Sequence, residues 1–148
     1  MRSKAPLALI EQMIMLLVFA LAAALCLQAF VKADAISMQG ENRSYAVVAA
    51  QNAAEAIRHS GGSMEHALSE AADRLGGTYG ENGLDLYYDE EWMETAKGGR
   101  YHLAAHGLLP EVPGLCKALV QVKEEGDVQE EKILFEIEVA WQEVEFHE

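Results

Sequence analysis

The rhythm of hydrophobic positions changes along this chain, and each change marks a different kind of element. From Leu7 to Val31 the apolar residues are almost continuous, LALIEQMIMLLVFALAAALCLQAFV, with Glu11 as the one charge. The 20 residues from Gln12 to Val31 carry no charge at all. At ~1.5 Å per residue such a helix spans roughly 30 Å, about the hydrocarbon thickness of a bilayer. A single run of this length can satisfy its backbone in lipid only as a helix. Pro6 precedes it, where a first-turn proline sacrifices no hydrogen bond. The pattern predicts a transmembrane helix over residues 7–31.

From Lys32 to Ser60 the apolar positions recur at helical spacing. Tyr45, Ala46, Val47, Ala49, Ala50, Ala53, Ala54 and Ile57 form a broad face rich in alanine, opposite Asn42, Arg43, Gln51, Asn52, Glu55 and Arg58. This predicts a helical stalk over 32–60, loosened at Gly40 and stopped at Gly61-Gly62. Ser63 is placed to cap a second helix, Met64 to Leu75, with Met64, Ala67, Leu68, Ala71 and Leu75 on one face. Gly76-Gly77 closes it.

The remainder changes to a period of two. Leu84 to Tyr88 reads as an edge strand and Tyr101 to Ala105 as another strand. Ala118, Val120 and Val122 alternate with Lys117, Gln121 and Lys123; Ile133, Phe135, Ile137, Val139 and Trp141 alternate with glutamates and Gln142. Glu124-Glu125-Gly126-Asp127 supplies a hairpin turn. The parity changes after Trp141, where Val144 and Phe146 fall on the other face, so a bulge or strand end is expected there. The fold class expected is α+β: a long N-terminal helix packed on a small antiparallel sheet of three or four strands. The domain layout is a short basic tail at 1–6, a membrane helix at 7–31, a stalk at 32–60 and an acidic head at 61–148.

Two other readings compete for the apolar run. Arg2 and Lys4 with Ala33-Asp34-Ala35 resemble the two ends of a secretory signal, which would release a chain starting at Ile36. The apolar core is longer than such signals carry, and Glu11 sits poorly within it. A plain signal-anchor without an assembly role fits the pattern as well.

An ionised carboxylate in lipid costs up to ~2.5–3.5 kcal/mol at mid-depth, so Glu11 either reaches the headgroups or finds a partner charge. Here the chain resembles the type IV pilin and pseudopilin family. Its members carry a short basic leader, a cleavage site, four mostly apolar residues and then a glutamate inside a long apolar helix. The counterpart is MRSKAP followed by Leu7-Ala8-Leu9-Ile10-Glu11, with the possible cut between Pro6 and Leu7. The resemblance covers roughly the first 60 residues. It departs from the family at the cut, where Pro6 replaces the usual glycine and no phenylalanine follows. It implies that Glu11 neutralises the N-terminal amine of an adjacent subunit and that the chain's partners are other pilin-like subunits, the assembly machinery and the lipid bilayer. It also implies a structural subunit, either a minor pilin or a type II secretion-like pseudopilin. The alternative from another class is a monomeric anchored domain whose head binds a cationic partner outside the cytoplasm.

Charge narrows the partners. Beyond Lys32, eight basic residues face 23 acidic ones, a formal charge of −15 against −13 for the whole chain. Such a surface repels phosphates, so no nucleic acid is expected as a partner. Flanking positive charge is nearly balanced across the apolar run. A six-residue tail against a long domain favours the N-terminus in the cytoplasm and the head outside. Cys26 and Cys116 are read as small apolar residues. His102 and His106, and His59 and His66, lack the companions a zinc site needs, so neither a metal nor another cofactor is expected. Asp89-Glu90-Glu91 and Glu124-Glu125 read as solvated charge, and Trp92 and Trp141 as core. No nucleophile motif or phosphate loop suggests an enzyme.

Overall fold

The computed structural model describes residues 5–126 and 131–143. The basic residues Arg2 and Lys4, the turn residue Asp127, and Val144 and Phe146 with their expected change of parity lie outside the described residues. The chain comprises two compact units, Met1–Glu41 and Asn42–Glu148. The division falls beside Gly40, within the stretch expected to be one stalk.

In the first unit the described residues, from Ala5 on, are helical, as part of α1 (Ala5–Ser60). Its large apolar side chains, Leu7 through Met38, are exposed along the whole length. The helix is long and apolar enough to cross a membrane, and its most apolar stretch is not buried against the rest of the chain. Gly40 is itself helical, and a Cβ there would meet no neighbour.

The second unit begins with the rest of α1. Ala46, Ala50, Ala53, Ala54 and Ile57 are buried, a narrower face than the pattern suggests. Tyr45 and Val48 remain exposed, because only one stripe of a helix can face a sheet. Arg58 and His59 occupy the last turn, where cations complement the helix dipole. Two glycines with positive φ, Gly61 (60°) and Gly62 (71°), turn the chain into α2 (Met64–Leu75). The Ser63 side chain accepts a hydrogen bond from the His66 amide at 3.3 Å, as expected of an N-cap. Gly76 closes the helix in the left-handed region, and Ala72 joins Ala67, Leu68 and Ala71 in the core.

Six strands follow: β1 (Thr78–Gly80), β2 (Gly83–Tyr88), β3 (Glu94–Thr95), β4 (Tyr101–Leu108), β5 (Leu115–Glu124) and β6 (Lys132–Gln142). They form one antiparallel sheet in the order β1-β2-β4-β5-β6, with β3 also paired to β2. The two strands beyond the expected three or four are only three and two residues long, too short to show a period. They also correct the expectation for Leu84 to Tyr88. That strand is not an edge, since Gly83 to Asp85 pair with β1 and Tyr87 and Tyr88 pair with β3.

The inner face is set by alternation. Leu84 and Leu86, then Tyr101, Leu103 and Ala105, then Cys116, Ala118, Val120 and Val122 are buried on successive strands. Alanines on α1, on α2 and on the sheet (Ala105, Ala118) join the larger Ile57, Leu84, Leu103, Val120 and Val122 in one buried cluster. On β6 the expected period fails at its start. A register shift between Val122 and Lys123 leaves Leu134 as an extra residue, which is buried, while Ile133 is turned out and half exposed. The bulge lies near the beginning of the strand, a position the sequence period does not reveal.

Candidate functional site

Pro6, Leu7 and Glu11 all lie on α1, in its first two turns, and Leu7 and Glu11 are exposed. Leu7, Ile14 and Met15 stand one turn from Glu11 on either side, so the carboxylate is set in an apolar surface. None of the ion pairs among the described residues includes Glu11. A carboxylate so placed is inert in water and costly in lipid.

In the head, the sequence pattern leaves one loop unexplained. Asp89 does not act as a mere solvated charge: its Oδ1 accepts hydrogen bonds from the Glu91 and Met93 amides, both at 2.9 Å. That closure holds Trp92 at φ 60°, an uncommon conformation for a bulky residue. Its ring stacks on Tyr101 with centroids 4.0 Å apart and lies 5.7 Å from Tyr45 of α1. The indole Nε1 donates to Asn42 Oδ1 at 3.3 Å. Trp92 is therefore a half-buried clasp between loop and helix. Trp141 is core, as expected, and its Nε1 donates to the Gly62 carbonyl at 3.0 Å.

The histidines are dispersed. His66 pairs with Glu70 at 3.2 Å on α2. On the outer face of the sheet, His102 Nε2 lies 2.8 Å from Asp85 Oδ1, and its ring stacks on Tyr87 at 4.5 Å. The sequence pattern gives no sign of this group, because only the pairing of Tyr87 with His102 across β2 and β4 brings the residues together. Among the described residues no three His, Cys, Asp or Glu side chains converge on a cation-sized site.

Paired charges cover the outer face of β5 and β6. Lys117 Nζ sits 2.6 Å from Glu138, a bond that raises the ammonium pKa. Lys123 sits 2.7 Å from Glu131 and lowers that carboxyl below its ordinary range. Burial pushes the Cys116 thiol upward, which keeps it protonated and unreactive. Two shallow grooves flank the second part of α1. One, of about 530 Å³, lies by Arg58, His59 and Arg74; the other, of about 550 Å³, lies between residues 51–58 and β6. Neither combines a buried titratable group with an enclosed volume. No protein-family model, curated protein or solved structure matches this chain.

Proposed function

We propose that this chain is a membrane-anchored structural subunit of the pilin-like kind, a minor pilin or pseudopilin, with its N-terminus in the cytoplasm and its head outside. One observation carries the reading. A lone carboxylate, Glu11, stands in the second turn of an exposed apolar helix, and the same helix continues into an alanine face that packs on an antiparallel sheet. In lipid Glu11 seeks a cation, and removal of a leader after Pro6 would create one, the α-amino group of Leu7 on a neighbouring chain. The pair would fix axial register between packed helices while the acidic head sets lateral contacts.

Glu11→Ala tests this role. The variant should insert in the membrane at least as well, since a costly charge is gone, and lose co-assembly by crosslinking more than about tenfold. Normal co-assembly of the variant would overturn the role of Glu11. A mass-spectrometric N-terminus at Leu7 on protein from its own cells would support processing, and one at Ile36 would refute the anchor. The rival, a monomeric anchored binding domain, draws on the acidic head and calls for no crosslinked neighbours of the same anchor type.

A further inference from the structure

The two margins of the sheet are treated differently. On one side, the outer flank of β2 is covered by β1 and β3, and the margins that remain are three and two residues long. On the other side stands β6, an 11-residue strand that pairs, among the described residues, with β5 alone. Its bulge at Leu134 disturbs only the start; from Phe135 to Gln142 the pairing is regular. A long strand margin left open offers a row of unpaired amides and carbonyls to another chain. Beside it runs the groove of about 550 Å³, lined by residues 51–58 of α1 and by Ile137, Glu138, Val139 and Ala140 of β6.

We infer that the Glu136–Gln142 margin of β6 accepts an extended segment of a different, basic protein, added as a further strand. The charge of the head disfavours a second copy of this chain, and parity disfavours some of its registers. In a two-fold antiparallel pair that keeps side chains on their faces, opposed residues share parity. Centring on Ile137 sets Glu136 against Glu138, and centring on Glu138 sets that glutamate against its own copy; a centre at Val139, which opposes Glu136 to Gln142 and Glu138 to Ala140, avoids the clash. Like charges directly opposite destabilise a strand pair. The head's formal −15 adds a general repulsion between copies. A segment with lysine or arginine at alternate positions meets Glu136 and Glu138 on one face and sets its apolar residues beside Ile137 and Val139 on the other. Lys117 and Gln121 hold these glutamates from the β5 side, and Glu138 keeps 54% of its side chain exposed.

The test uses the full chain in detergent and three synthetic heptapeptides: alternating Lys-Val, alternating Glu-Val, and the Lys-Val peptide methylated on its backbone nitrogens. The Lys-Val peptide should bind saturably and slow hydrogen exchange at the amides of residues 136–142. Backbone methylation should weaken it by at least about tenfold, since several ladder bonds are lost. Glu136→Lys should weaken the Lys-Val peptide by about two- to fivefold and favour the Glu-Val peptide instead. Equal binding of the methylated peptide, protection elsewhere than β6, or no saturable binding would each overturn the inference. The methylated peptide interrogates the unaltered chain, so the result does not depend on how a variant folds. It is also independent of co-assembly through Glu11, so the two readings fail separately.

Discussion

Two stretches of α1 use the helix in opposite ways. Between Leu7 and Met38 large apolar side chains point outward all round, whereas between Ala46 and Ile57 small ones are buried along one stripe. The first stretch is suited to an apolar solvent, the second to a single protein surface. Helical backbone is common to both, and side-chain volume separates them. A helix that must meet lipid gains by carrying bulk. One that must lie close to a sheet gains by shedding it.

Paired substitutions break this contrast in order of expected size. Ile57→Ala empties a fully buried position and should lower head stability by about 2–5 kcal/mol. Leu17→Ala, which removes a similar volume from an exposed position, should shift the same thermal melt by less than about 0.5 kcal/mol. Ala50→Leu should overpack the interface and cost about 1–3 kcal/mol in denaturant unfolding. Ala23→Leu, the identical change in the first stretch, should leave the head's midpoint unmoved. The smallest loss among the head positions concerns the second helix. Ser63→Ala loses the bond to the His66 amide and should cost about 1 kcal/mol, with α2 amides exchanging faster.

How much of this is legible in the sequence follows from the range of the forces involved. Local signals are plain: the α2 limits, with Ser63 before and Gly76 after, depend on side chains within a few residues of the backbone they cap. Alternation on β5 is equally clear, because Cys116, Ala118, Val120 and Val122 share one burial environment. What the sequence hides is long-range. The bulge at Leu134 exists only relative to Val122 and Lys123 across the hairpin, and the shielding of β2 depends on two strands too short to carry a period. Asp89 illustrates the same limit within a loop, since an acidic run looks solvated until one carboxylate is seen to cap its own turn. Of the candidate site, Glu11 is visible as a charge out of place, whereas the open β6 margin emerges only once the strand order is known.

The bond from Trp141 to the Gly62 carbonyl joins residues 79 positions apart. During synthesis at ~5–20 residues per second, roughly 4–16 s separate the two residues as they leave the ribosome. The apolar stretch of α1, long enough to cross a membrane, emerges before either, while the head still lacks β6. For those seconds the alanine stripe has no complete sheet to rest on, and the nascent head is open to holding factors or to proteases. Emergence of the apolar helix and completion of the head are thus separated in time by the position of one tryptophan in the chain.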